Sequence, residues 1–365
     1  MGAYDTISPQ QTAALLLVST TGSTILFIPS TLMAQSGNAF WIAWLVAGLY
    51  GSLQLSVMLY IRRRFHGQSV IEGGIETIGY TLTVLLMVPF VLFMILLQGY
   101  IYFSIGAFFT TTMMRDTPVY VFNGLIALVS ALTVRAGVVV MARMFTMMSF
   151  LLVGVIVLVL LLALKNYHLN YLLPILPNGI KPVFHSVYET GGFIYGDFLV
   201  FTFLFAYMRP KQGETGSKPI VLAFLLNWLI IAMISGCTIM TLGPITNEYQ
   251  YPLFVLSRQI SIQEIIERGE SIIGMSMMAG SYMKATITLF ALNTALTRLL
   301  KLKEDGLLVY PLALLGFVLS LVLVQNEAEF GEVLLTWPLV TFTVSLTLIF
   351  VAVAAQFIKR SAKSE

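Results

Sequence analysis

Charge is what this sequence has least of. Asp, Glu, Lys and Arg make up 10% of the 365 residues, against 58% apolar side chains, and the mean hydropathy is +0.89. Soluble globular domains carry about 25% charged residues, so water is excluded as the main solvent. Cysteine is nearly absent as well. The single Cys237 excludes an intrachain disulfide and a thiolate metal cluster, and within its apolar stretch it reads as a small core residue. The three histidines, His66, His168 and His185, read as separate loop residues without a metal-ligating partner, so neither a metal nor another cofactor is expected. No basic run carries interleaved aromatics, which removes nucleic acid as a partner despite a net charge of +3. Walker loop, nucleophile elbow and paired carboxylates are missing too, and an enzyme is not expected. Met1 to Gln10 lacks the basic region and cleavage site of a signal peptide, so the first apolar segment is expected to stay as a span.

What is present is a succession of apolar windows long enough to cross about 30 Å of hydrocarbon. They predict an all-α membrane protein with ten transmembrane helices, at residues 9–34, 39–61, 81–109, 118–134, 138–164, 184–208, 220–242, 272–297, 307–324 and 334–357. With the N-terminus inside, the inner loops hold fourteen basic residues, among them Arg62, Arg63, Arg64, Arg135, Arg298 and Lys301. The outer loops hold five: Arg115, Lys165, Lys181, Arg258 and Arg268. That asymmetry predicts cytoplasmic N- and C-termini. Two long connections occupy matching places if the chain divides into halves at 1–165 and 166–365. Ser69–Tyr80 reads as a short amphipathic helix on the inside and Pro252–Glu270 as a longer one on the outside, the layout of an inverted repeat.

Two spans carry their own interruptions. Thr20, Thr21, Gly22, Ser23 and Thr24 lie near the middle of span 1, with Pro29 beyond, and all are poor helix formers. Gly191, Gly192 and Gly196, followed by Asp197, do the same in span 6. Matching breaks in the two halves point to a solute site, because freed N–H and C=O groups at mid-membrane suit a carboxylate and an ammonium group. By contrast, Ala43, Ala47 and Gly51 on span 2 read as a packing stripe. Asp197 and Lys284 are the ionisable residues most firmly inside spans. Each costs about 2.5 to 3.5 kcal/mol at a helix centre, so both should face the bundle interior, paired with each other or beside the ligand. Polar neighbours for the same cavity are Gln98, Tyr100 and Tyr102 on span 3, Tyr195 on span 6, and Ser281, Tyr282, Thr286 and Thr288 on span 8. The expected ligand set is Thr21, Gly22, Ser23, Thr24, Tyr100, Tyr195, Gly196, Asp197, Lys284 and Thr288. The run Thr341, Thr343, Ser345, Thr347 alternates and reads as bland.

Several motifs together resemble the B subunit of the nutrient germinant receptors of bacterial endospores, a family similar to the amino acid, polyamine and organocation transporters. They are Gly22-Ser23-Thr24-Ile25 with Pro29, Leu173-Pro174 through Lys181-Pro182, Tyr195-Gly196-Asp197, Pro252 to Ile260 leading into Ile265 to Glu270, and Lys284. Asp197 stands where that family usually has Glu, and Ile194 where it commonly has Pro. The resemblance implies a LeuT-like five-plus-five inverted repeat with broken helices 1 and 6, and an amino acid or similar solute bound between spans 1, 3, 6 and 8. It also implies residence in the spore inner membrane, among lipids, beside an A-type subunit and a lipoprotein C-type subunit. A proton-coupled amino-acid transporter is the alternative, and an ion or water pathway within a complex is a third reading.

Overall fold

The computed structural model describes residues 6–361 except 23, 66–67, 175, 177–178, 211–214 and 261–268. Among these the chain is helical, with one isolated bridge between Ile7 and Met208 as its extended contact. Crossing one is split into α1 (Pro9–Thr21) and α2 (Thr24–Ser36). Crossing two is α3 (Phe40–Arg64), and the short α4 (Val70–Ile78) leads to crossings three to five, α5 (Tyr80–Thr112), α6 (Val119–Arg135) and α7 (Val138–Leu162). Crossing six comprises α8 (Lys181–Tyr195), a 3-10 stretch (Gly196–Val200), α9 (Phe201–Leu204) and a last 3-10 turn (Phe205–Tyr207). Crossing seven is α10 (Ser217–Leu242), followed by the short α11 (Pro252–Arg258), whose Leu253, Phe254 and Leu256 are buried. Crossings eight to ten are α12 (Gly269–Leu299), α13 (Val309–Val322) and α14 (Glu327–Ser361).

Each predicted span therefore has its helical run, and among the described residues six runs are long and apolar enough to cross a membrane on length and composition alone. The outward faces carry Leu49, Leu53, Leu85, Met147, Phe150 and Leu151, each at least 62% exposed. Side chains of that kind on a continuous outer surface belong in lipid. The predicted amphipathic helix after crossing two is α4, started by a capping box between Ser69 and Glu72. Its counterpart after crossing seven is shorter than expected, since α11 ends at Arg258; positions 261–268 of that prediction lie outside the described residues.

Local chemistry explains where crossing one stops. Ser8 and Gln11 form a capping box with Pro9 in the first turn, a strong start signal. At the other end, the hydroxyls of Thr20 and Thr21 turn back onto the carbonyls of Leu16 and Leu17, a pattern that bends helices. Gly22 then leaves the helical region at φ −45°, ψ −82°. There it touches crossing eight: a Cβ on Gly22 would lie 2.3 Å from the carbonyl oxygen of Gly280, and one on Gly280 would lie 2.7 Å from Gly22 Cα. Two backbones meet at the break because neither residue has a side chain.

Crossing six differs from the expected opening. Its helix rewinds into the narrower 3-10 form at Gly196, so the main chain stays hydrogen-bonded within the membrane. Crossing ten leaves no room for a gap. A Cβ on Gly192 would fall 2.3 Å from Pro338 and one on Gly196 2.4 Å from Thr341. The alternating run on crossing ten also hides a helical face: Thr341 seats Gly196, and Ser345, four residues on, accepts a hydrogen bond from Gln54 at 3.1 Å. On crossing two, Ala43 and Ala47 are fully buried and Gly51 makes room for the Tyr195 ring. The Trp44 and Trp228 indoles donate to each other's carbonyls at 3.0 and 3.3 Å, tying crossings two and seven.

The Gly22 contact gives a direct test. Gly280→Val should lower stability by about 1 to 3 kcal/mol through overpacking, read as a lower midpoint in thermal unfolding of the detergent-solubilised protein. Gly154→Ala, where an added Cβ meets nothing within 4 Å, should not. Equal midpoints for Gly280→Val and the parent would remove the close approach from the account of the break.

Candidate functional site

Within the 3-10 stretch of crossing six, Asp197 points at the middle of crossing eight. Lys284 Nζ lies 2.6 Å from Asp197 Oδ2, with the two side chains 3% and 6% exposed. The Trp337 side chain stands beside the same carboxylate. Asp197 Oδ1 has no hydrogen-bond partner among the described residues. Two opposite charges brought out of water offset much of each other's desolvation, and either alone would be strongly destabilising.

Lys284 also faces a narrow, partly open hollow. Its walls are aromatic: Phe27 from crossing one, Tyr100 from crossing three, Phe193 from crossing six, and Phe330 and Trp337 from crossing ten. The Lys284 ammonium sits 5.6 Å from the Phe193 ring centre, within cation–π range. Tyr100 meets Trp337 edge-on with ring centres 5.4 Å apart, and Phe27 meets Phe193 likewise at 6.3 Å. Phe27, Phe193 and Leu334 also floor a second hollow of about 700 Å³, lined by Gln35, Glu189 and Asn247. There Gln35 Nε2 donates to Glu189 Oε1 at 3.1 Å, and His185 Nε2 lies 2.9 Å from the same oxygen. His185 thus has a carboxylate partner four residues on, in the first turns of α8, which corrects its reading as an isolated loop residue. No group of three or more His, Cys, Asp or Glu able to hold a metal occurs among the described residues. At the same end, Tyr251 donates to Glu327 Oε1 at 3.2 Å, and burial together with that carboxylate holds the Tyr251 phenol above its usual range.

Of the residues expected from the sequence, the structure brings Tyr100, Asp197 and Lys284 together. Thr21 faces crossing seven and accepts from Asn227 Nδ2 at 3.0 Å. Gly22 is covered by Gly280 and Gly196 by Thr341, while Ser23 lies outside the described residues. Thr24 is buried, with no partner for its hydroxyl among the described residues. Tyr195 turns to the far side of α8, against Trp44 and Phe224. Thr288 donates to the Lys284 carbonyl at 2.9 Å, one turn along α12. Tyr282 meets Thr133 at 2.6 Å and Thr286 meets Ser130 at 3.2 Å, both toward crossing four. Gln98 and Tyr102 pack on Gly316 of crossing nine. The sequence reading missed crossing ten, although Phe330, Val333, Leu334 and Trp337 repeat at the spacing of one helical face.

An all-helical membrane bundle whose first crossing breaks and whose sixth rewinds into a 3-10 stretch beside a central hollow has the LeuT-like fold of solute transporters. Among solved structures it is similar to Mhp1, a nucleobase-cation-symport-1 family transporter held closed with bromovinylhydantoin bound. The TM-score is 0.68 at 12% identity, covering 92% of this chain and 78% of that one. It is also similar to MhsT in complex with L-phenylalanine, with a TM-score of 0.67 at 14% identity, covering 99% and 100%. These likenesses define the fold. A family profile described as spore germination protein matches residues 6–329, and the chain belongs to that family. Its relatives include spore germination protein KB of Bacillus subtilis (strain 168), 26% identical over 327 residues (88% of this chain, 86% of the relative). Another is spore germination protein YndE of the same strain, 20% identical over 303 residues (81% and 82%).

The buried pair makes a prediction about stability. Asp197→Asn strands the Lys284 ammonium and should cost about 3 to 5 kcal/mol, whereas the double variant Asp197→Asn/Lys284→Met should regain most of it. Thermal unfolding of the three proteins measures this, and strictly additive losses would show that the two groups do not interact.

Proposed function

We propose that this protein is the germinant-sensing subunit of a spore germination receptor and binds a small zwitterion, an amino acid, at mid-membrane. The carrying observation is the placement of Lys284. It is bonded to Asp197 at the rewound part of crossing six and open to an aromatic hollow walled by crossings one, three, six and ten. In this reading the solute inserts between the paired groups, its carboxylate meeting Lys284 and its ammonium meeting Asp197, while Tyr100 and Trp337 enclose its side chain. Thr21, Gly22, Thr24, Tyr195, Gly196 and Thr288 support the site from behind. The two halves, 1–165 and 166–365, form the inverted repeat, with both termini cytoplasmic in the spore inner membrane. A ligand that favours one arrangement of the bundle shifts the population toward it and passes that bias to A-type and lipoprotein C-type subunits.

A second reading, a proton-coupled amino-acid transporter, is favoured by the same pair, since a buried carboxylate and amine can exchange a proton between them. Screening amino acids against the purified chain tests the binding claim, because a ligand specific for the folded state raises the unfolding midpoint by mass action. We expect a midpoint rise with at least one amino acid, abolished in Lys284→Met. A rise that survives intact in Lys284→Met would refute the site. In proteoliposomes the receptor reading expects no concentrative uptake of that amino acid, whereas accumulation driven by a proton gradient would establish the transporter.

A further inference from the structure

Crossings four and nine leave a trough of about 570 Å³ between them. Its floor is made of small residues: Ala127 and Ala131 on α6 and Ala313 on α13 are buried. At Gly124 an added Cβ would meet nothing nearer than the Phe317 ring at 3.5 Å. The trough ends at Tyr310, whose ring centre lies 5.7 Å from the Arg135 guanidinium. Arg135 lines an adjoining polar hollow of about 710 Å³ together with Asn293 and Asp305.

The two groups at this junction are incompletely used. Arg135 Nη1 donates to the Gly306 carbonyl at 3.1 Å, and the guanidinium forms no ion pair among the described residues. Asn293 is 3% exposed; its Nδ2 donates to the Asp305 carbonyl at 2.5 Å, while its Oδ1 has no partner among the described residues. From Gly124 to Arg135 the helix rises about 16 Å, close to half of the roughly 30 Å hydrocarbon core. An apolar channel one leaflet deep thus opens, at headgroup level, onto a guanidinium and a buried acceptor.

We propose that this trough is a phospholipid site. One acyl chain lies along Gly124, Ala127 and Ala131, the phosphate sits on Arg135, and a headgroup hydroxyl or ammonium donates to Asn293 Oδ1. Guanidinium and phosphate form charge-assisted hydrogen bonds, and the aromatic Tyr310 belongs at the membrane interface. The Asp305 carboxylate in the same hollow disfavours a headgroup bearing a second negative charge and accommodates a donor. The chemistry selects a lipid with one phosphodiester and a donor headgroup, of which phosphatidylglycerol and phosphatidylethanolamine are the natural probes.

The full chain, purified from membranes in mild detergent and stripped of lipid, would be titrated with phosphatidylglycerol, phosphatidylethanolamine and phosphatidylcholine and followed by native mass spectrometry. We expect one tightly held molecule of either donor lipid and weaker retention of phosphatidylcholine. Loss of the charge-assisted contact in Arg135→Gln should weaken retention on the order of tenfold. Gly124→Leu, which fills the trough, should weaken it while leaving Arg135 in place. Unchanged retention in both variants, or equal retention of phosphatidylcholine by the parent, would overturn the proposal. So would disulfide cross-linking between chains through Gly124→Cys in a Cys237→Ala background, because it would place a second copy in the trough.

Discussion

A single ion pair sets the terms for the middle of this bundle. Neither Asp197 nor Lys284 is tolerable alone at its depth, so crossing six must present its carboxylate where crossing eight presents its amine, 2.6 Å away. That requirement fixes how the two crossings are rotated and how far each has slid along the other. The aromatic walls follow from it: with Lys284 held inward, Phe193 falls within cation–π distance and Phe27, Tyr100 and Trp337 close around the space that remains.

Backbone contacts provide the second constraint. Gly22 against Gly280, Gly192 against Pro338 and Gly196 against Thr341 bring crossings one and eight, and six and ten, nearer than any side chain would allow. In lipid, where burial of apolar surface does little to hold helices together, such close packing supplies much of the cohesion. It also determines what a helix break becomes. At Gly22 the chain departs from helical geometry, whereas at Gly196 the pressure of Thr341 favours a tighter spiral that continues the helical run.

The sequence made the spans, the break in crossing one and the two buried charges legible, because each is local. Hydrophobic length marks a span, a cluster of Thr and Gly marks a weak helix, and a lone charge in a span demands an interior position. What it concealed depends on partners distant in the chain. Nothing near Tyr195 says that its ring turns to Gly51, and nothing near Thr21 names Asn227 as its donor. The wall from crossing ten was readable as a 3-4-7 pattern from Phe330 to Trp337, but membrane helices are apolar on every side. Periodicity there carries less contrast than in a soluble protein.

The placement of the pair bears on how binding reaches the rest of the molecule. At the end of the bundle away from the Gln35–Glu189 hollow, the segment after crossing six is fastened to the start of crossing one. Ile7 accepts from Arg209 and donates to Tyr207, at 3.1 and 3.0 Å. Glu72 of α4 meets Arg298 at the end of crossing eight at 3.4 Å. Crossings six and eight are therefore each anchored at that end and joined to each other at Lys284–Asp197. In the proposed reading, a zwitterion that inserts between those two groups replaces one contact by two and changes the spacing of the crossings at mid-membrane. A solute with equal affinity for both spacings shifts nothing. Discrimination must then come from the aromatic walls, whose fit to the solute's side chain differs between the closed pair and the separated one.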